Sequence, residues 1–413
     1  MTLQALKTAP TLDVPPYRPQ AAAVPVWRGL PLAERAARVA KIAAEHAQSV
    51  DQEARFPAEA IAAAKAEGLM GVLAPTALGG EAASFAQVAE VCYALGQACA
   101  SSAMIYAMHQ VKAACVIRHA GDSAWMADFI TRLTAEQLLL ASSTTEGKAG
   151  GDVRRSAAAV EAKAGRITLD RDASVISYGA QADGLVTTAR RSGEADASDQ
   201  VLLVLDRADY SLTQTQSWDT MGMRGTCSVG FALKADASLD QIMPVAYEAI
   251  HSRTMVPAAH IFWSAVWAGI AAASVERARR FIRKAARGNG GQPPPAAAYL
   301  TKANTALRAL RALIAEAVAG YQAIEHNAEA LGALAFQTRI NLLKVDSSEL
   351  AQATVLAALR ACGLSGYRND SEASIARHLR DVLSAPVMIN NDRILANLAA
   401  SSLLAETPST LFS

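Results

Sequence analysis

The sequence predicts an α+β protein of several domains, with helices first, strands in the middle and long helices last. Three observations predict it. From Leu32 to about Ala135 apolar residues recur every three or four positions with charges between them, as in LAERAARVAKIAAEHAQSV, which is the period of an amphipathic helix. Over 137–243 the texture changes to short apolar or alternating runs such as QLLLASS, SAAAVEAKAGRITLD, GLVTTARR, QVLLVLD and VGFALKA, separated by Gly, Asp and Ser, and these read as antiparallel strands with turns. Beyond Pro244 the helical period returns and persists to about Glu406. Strands segregated from helices argue against alternating βαβ units.

Taken in order, residues 1–30 are rich in Pro and Ala without helical period and read as a tail. Residues 31–136 form a helical domain, in which GLMGVLAPTALGG is a loop and SFAQVAEVCYALGQACASSAMIYAMHQ is apolar enough to be buried. Residues 137–243 form a small β domain. Residues 244–413 are helical again, interrupted by GNGGQPPP at 288–295 and CGLSGYRND at 362–370. Between Thr254 and Val275 there is no Asp, Glu, Lys or Arg, and ~20 apolar residues suffice to span a bilayer. Pro257, His260, several small polar residues and the lack of a second span favour a helix buried on all sides instead.

Composition bounds the function. The 413 residues are 52% hydrophobic and 19% charged, so sizeable cores are expected. With 39 Lys+Arg against 38 Asp+Glu there is no electrostatic reason to meet nucleic acid or an acidic membrane. Five cysteines without CxxC pairing suggest neither a disulfide framework nor a zinc site, and no metal is expected. MTLQALKTAPTLDVPPYRPQAAAVP has no basic flank leading into an apolar stretch, so it does not read as a signal peptide, and a cytoplasmic location is expected. No GxGxxG opens a helix.

Four local sequences carry chemical content. Thr144-Thr145-Glu146-Gly147-Lys148-Ala149-Gly150-Gly151-Asp152 follows LLLASS; a Gly-rich loop with hydroxyls presents backbone N–H groups to a flat heteroaromatic ring or a phosphate, although a solvated turn has the same composition. Trp218-Asp219-Thr220-Met221-Gly222-Met223-Arg224-Gly225-Thr226-Cys227-Ser228 is a second Gly-containing turn. Cys362-Gly363-Leu364-Ser365-Gly366-Tyr367, followed by Arg377-His378-Leu379-Arg380-Asp381, admits a close backbone or ligand and equally suits a helix C-cap. Asn390-Asn391-Asp392-Arg393 opens a last helix and suits its N-cap.

In order and spacing these segments together resemble the acyl-CoA dehydrogenase superfamily over nearly the whole chain. TTEGKAGGD is similar to that family's TEPxAGSD loop, WDTMGMRGTCS to its GMRxTxS segment, and CGLSGY with RHLRD to its GGxGY…RD region. The resemblance implies an N-terminal helical domain, a central antiparallel β domain and a C-terminal four-helix bundle, with bound FAD and assembly as a homodimer or homotetramer.

For single residues the resemblance puts Ser142, Thr144, Thr145, Gly151, Val175 and Ser177 near the flavin ring, with Val175 replacing a Trp and Gly151 a Ser. Gly363, Ser365 and Gly366 correspond to residues that hold the adenosine part of a neighbouring subunit's FAD, and Asn391 and Arg393 to further FAD contacts. Ala285 stands where the family has an arginine, for which Arg283 or Arg287 can substitute.

Dehydrogenation in the family needs a carboxylate to take an α-proton. Its usual place, after the RD motif, is held by Ile389; the alternative place, ten residues before Gly269, is held by Ala259 beside His260. His109, His260 and Asp392 are the remaining candidates for proton chemistry, against their plainer readings as core histidines and a helix cap. The leading expectation is an FAD-dependent oxidoreductase acting on an acyl thioester, such as an acyl-CoA, or a similar small substrate, with an electron-transfer flavoprotein as redox partner. The alternative is a monooxygenase on the same fold that takes reduced FMN or FAD from a flavin reductase and needs no α-proton base. A third is a non-catalytic flavin- or acyl-binding protein.

Overall fold

The helical period of the first third is realised in α1 (Leu32–Gln52), α2 (Ala58–Ala66), α3 (Phe85–Ala98), α4 (Ala100–His119) and α5 (Ala124–Glu136). These come from a computed structural model that describes residues 29–146 and 153–404. On α1 the buried residues include Ala36, Val39, Ala43, Ala47 and Val50, three or four positions apart, so this helix lies on the core along one stripe. A capping box starts α3: Ser84 Oγ accepts from Gln87 N at 3.3 Å while Gln87 Oε1 accepts from Ser84 N at 2.9 Å, which satisfies two amides at the helix start.

The middle of the chain forms β1 (Leu140–Ser143), β2 (Glu161–Lys163), β3 (Arg166–Ile176), β4 (Gly184–Arg190), β5 (Gln200–Asp206), β6 (Tyr210–Gln214) and β7 (Val229–Ser238). They make two sheets, ordered β1-β4-β5 and β2-β3-β7-β6. The pairings are antiparallel except that β1 runs parallel to β4, with Leu140 opposite Gly184. That exception has a topological cause: the chain leaves β1, passes through β2 and β3 of the other sheet and returns, the crossover a parallel pair needs. Along β3 exposed and buried residues alternate from Arg166 to Ala173, and then the register against β7 shifts before Ile176. The irregularity is a β-bulge, which re-aims side chains, and it leaves Ser174 and Val175 at the surface of the sheet.

The last part contains α6 (Tyr247–Ile250), a π-helical turn at His251–Met255, α7 (Val256–Gly288), α8 (Ala297–Ile324), α9 (Ala328–Gly332), α10 (Leu334–Tyr367), α11 (Ala376–Val382) and α12 (Asn391–Leu404). The charge-free stretch belongs to one unbroken rod, Tyr247–Gly288, whose apolar window is 83% buried inside the protein. It is the central helix: α3, α4, α8 and α10 all pack on α7. Glycine permits the closest of these approaches, because a Cβ on Gly269 would stand 2.8 Å from Gly96 Cα on α3. The end of α10 kinks at Gly363 (φ 54°, ψ −138°), a conformation open to glycine alone among common residues.

Candidate active site

The β3 bulge, the π turn and the starts of α10 and α12 enclose a cleft of about 1440 Å³. Small-molecule pockets usually measure ~300–1,000 Å³, so this one has room for two occupants side by side. Val175, Val256, Leu334, Val387 and Ile389 supply apolar wall; Thr145, Ser174, Gln200, Asn341 and Asn390 supply neutral polar groups; Arg154, Arg155 and Arg393 supply cations. Its carboxylates, Asp196, Asp199 and Glu248, are all exposed. Asp199 is further held by Arg191 Nε at 3.1 Å.

Of the two positions at which the resemblance places a base, Ile389 lines this cleft and Ala259 does not, although its neighbour His260 does. Ile389 is 36% exposed, and its backbone is left-handed at φ 48°. That conformation disfavours a Cβ by about 1–2 kcal/mol, more for a β-branched residue. Lys344 on α10 approaches the turn from the bundle, its Nζ donating to Ile389 O and to Asn391 Oδ1, each at 2.7 Å. His260 also lines the cleft, beside Ala259 on the first turns of α7. Its Nδ1–H donates to Ile340 O at 2.9 Å, which leaves Nε2 as the acceptor nitrogen. Burial pushes its pKa down to about 4, with the Lys344 charge adding to the effect, so the ring is neutral at pH 7.

Other predicted residues fall elsewhere. His109 is wholly buried in α4, where Nε2–H donates to Met70 O at 2.9 Å and Nδ1 accepts from Leu140 N at 3.0 Å. With both ring nitrogens engaged and no place in the cleft lining, it ties the Met70 loop to β1. Asp392 is exposed on the first turn of α12 and does not line the cleft, and the cap there is Asn390, whose Oδ1 accepts from Asp392 N at 2.8 Å. Asn391 is buried, bonded through Nδ2 to Ser348 Oγ at 3.0 Å as well as to Lys344, so its side chain is engaged with α10. Arg393 and Thr145 do line the cleft. Ser142 and Thr144 are half-buried with hydroxyls 3.5 Å apart. Ser177 Oγ lies 2.8 Å from Ser228 Oγ, behind the bulge. Arg287 is exposed at the far end of α7, and Gly363, Ser365 and Gly366 sit at the end of α10, none of them lining the cleft. Gly151 lies outside the described residues.

Two motifs that are distant in sequence meet. Asp381 Oδ1 accepts from Met223 N at 2.7 Å and Arg380 Nη1 donates to Met221 O at 2.9 Å, so the GMRGT turn is clamped by RHLRD. Gly222 is obligatory there, since any Cβ would overlap the Arg380 carbonyl. The loop that begins at Thr144 is anchored by Glu146, 3% exposed, which pairs with buried Arg171 at 2.8 Å and accepts from Ser156 Oγ at 2.8 Å.

The residues present fit a flavin. A tricyclic ring needs a flat apolar wall and hydrogen-bonding groups along its edge, and Val175 beside Ser174 and Thr145 meets that need. Gln200, 3% exposed, also borders the cleft, and its Oε1 has no hydrogen-bond partner among the described residues. Sequence reasoning missed Gln200, Lys344 and the π turn. Only Lys344 left a trace, as a lysine on the stripe Ile340, Lys344, Ser348, Ala351 whose other members face the core.

Comparison with known proteins agrees with the architecture. Residues 32–137 match the family model of the acyl-CoA dehydrogenase N-terminal domain, and residues 257–404 that of the acyl-CoA dehydrogenase C-terminal domain. A cyclohex-1-ene-1-carbonyl-CoA dehydrogenase of Geobacter metallireducens is 23% identical over 368 residues, 87% of this chain and 93% of that one. A probable acyl-CoA dehydrogenase of Bacillus subtilis, YngJ, is 25% identical over 184 residues, 44% of this chain and 48% of its own length. Among solved structures, the dibenzothiophene monooxygenase TdsC of Paenibacillus sp. A11-2 with FMN bound superposes with a TM-score of 0.80 at 17% identity, covering 92% of this chain and 100% of that one.

Proposed function

Because the chain belongs to the acyl-CoA dehydrogenase family, we propose that it is a flavin-dependent oxidoreductase whose cleft works without a carboxylate base, taking its flavin in reduced form and oxygenating a small molecule. The observation that carries this reading is Ile389, an aliphatic side chain on the cleft wall at the family's base position. Isoleucine cannot accept a proton, and of the two histidines in the wall, His251 and His260, His260 is a neutral imidazole of low pKa. A bound flavin supplies two-electron chemistry and, once reduced, reactivity toward O2. The chain's own residues do the rest. Val175, Val256, Leu334 and Ile389 keep water from the reacting face, Thr145, Ser174 and Gln200 orient the ring edge, and His260 Nε2 accepts a hydrogen bond from the substrate.

FMN or FAD, reduced by a separate flavin reductase, is the cofactor of this reading. A homodimer or homotetramer in the cytoplasm completes it. Leu364 and Tyr367, 73% and 74% exposed around the Gly363 kink, offer the apolar surface that a second subunit would cover. The second reading is dehydrogenation of an acyl thioester, favoured by the alignment of this chain with nearly the whole length of a dehydrogenase.

Anaerobic titration of the flavin-loaded protein with a panel of acyl-CoAs separates the two. No bleaching by any thioester, with oxygenated product formed only when reduced flavin and O2 are supplied, is the expected result. Bleaching by one acyl-CoA would replace the first reading with the second, and failure to bind oxidised or reduced flavin would remove both.

A further inference from the structure

We propose that Lys344 is a positioning residue of the cleft: by holding the Ile389 carbonyl and the Asn391 side chain together, its buried amine locks residue 389 in the left-handed conformation that sets the cleft wall. Three observations carry this. Ile389 is a β-branched residue at φ 48° with its side chain in the cleft, so the turn is held against its own preference. Lys344 Nζ reaches it from behind the wall, 2.7 Å from Ile389 O and 2.7 Å from Asn391 Oδ1. Lys344 is itself fully buried, with its Nζ also over the face of Trp267, 5.8 Å from the ring centre. Both hydrogen-bond partners are neutral, so this lysine is not one half of a buried ion pair. Burial pushes its amine down to about 7, a free-energy penalty that an ordinary apolar side chain on the same core stripe would not bring. A methionine would fill the same space; what the amine adds is the tie to residue 389.

Asn391 extends the device. Its Nδ2 donates to Ser348 Oγ at 3.0 Å, so α10 grips the start of α12 at two successive turns, and the backbone between them has little freedom to relax.

The test compares Lys344→Met, Ile389→Gly and the double variant by hydrogen exchange of the peptide spanning 384–391, where Met388 N donates to Ser384 O at 2.9 Å and Asn391 N to Pro386 O at 2.9 Å. In Lys344→Met these amides should exchange about tenfold faster, the factor that matches the strain released, while α8 keeps its wild-type protection. The double variant should recover most of that protection, because glycine needs no lock to sit at positive φ. Flavin affinity, read by fluorescence titration with FMN and FAD, should fall in Lys344→Met; the rescue is read by exchange alone, because Ile389→Gly also removes a side chain from the cleft wall. Unchanged exchange at 384–391, faster exchange spread over all of α10, or failure of the glycine to restore protection would overturn the assignment. The exchange measurement needs no ligand. A wild-type protein that binds neither flavin would therefore count against the flavin reading, while the turn would still be judged by exchange.

Discussion

Asp381 on α11 accepts the backbone N–H of Met223 at 2.7 Å, joining two sequence motifs 158 residues apart. Burial raises its carboxyl to about 6, with Asp51 acting in the same direction and Arg377 and Arg380 opposing. Between the ordinary value near 3.8 and about 6 the folded chain holds a proton that the unfolded chain has lost, so stability falls as pH rises through that window. Asp381→Asn keeps an oxygen for Met223 and removes the charge. It should flatten that part of the pH profile and add ~1–3 kcal/mol at pH 7, measured as the difference between wild-type and variant urea midpoints from pH 4 to 7.

His109 predicts the opposite slope. Burial holds its pKa at about 4, so as pH falls from 6.5 the unfolded chain is protonated first and stability is lost down to about pH 4. His109→Ala should cost ~2–4 kcal/mol at pH 7 through two lost hydrogen bonds and a cavity, and should remove its share of the acid loss. Turnover per folded molecule should be unchanged; a large fall in kcat at full folding would return His109 to the catalytic machinery.

Glu146 and Arg171 are a buried pair, 3% and 1% exposed. Glu146→Ala leaves the guanidinium without its ion partner and should destabilise the protein by ~3–5 kcal/mol, read by thermal unfolding. Flavin affinity should drop with it, because the loop carrying Thr144 and Thr145 loses its anchor.

Val175 occupies the bulge at the cleft wall. An indole there adds ring stacking worth ~0.5–1.5 kcal/mol, so Val175→Trp should bind oxidised flavin about twofold to tenfold more tightly in a fluorescence titration. A weaker complex would show that the wall has no space for a larger group.

Gly269→Ala should destabilise by ~1–3 kcal/mol, because the new methyl meets Gly96 on α3 at 2.8 Å. The same substitution at Gly288, which has open space around it, serves as the control and should change little.

Much of the fold was legible because period and punctuation survive in a single sequence. The stripe on α1 and the alternation on β3 are each local patterns with a local cause. The burial of the central helix was legible too, since a charge-free run broken by Pro257 and His260 and without a second span suits a helix packed on all sides. The site was half legible. Thr145, Val175, His260, Ile389 and Arg393 reach one cleft, but the surroundings of His109 and Asn391 were not legible, because the face a polar residue presents depends on partners far away, Met70 and Leu140 for one and Lys344 and Ser348 for the other. The orphaned Gln200 oxygen and the parallel β1–β4 pair are products of tertiary assembly and leave no periodic trace.

The π turn at His251–Met255 is in effect a one-residue insertion in an otherwise regular helix. Each α-helical residue advances the chain by about 100°, so deleting one residue from this turn would swing Tyr247, Glu248 and Ile250 around the helix axis relative to α7. Tyr247 and Ile250 are buried in the core, so the deletion would reshape the mouth of the cleft and unpack the core behind it together. What the cleft admits is thereby tied to the stability of the scaffold at this turn.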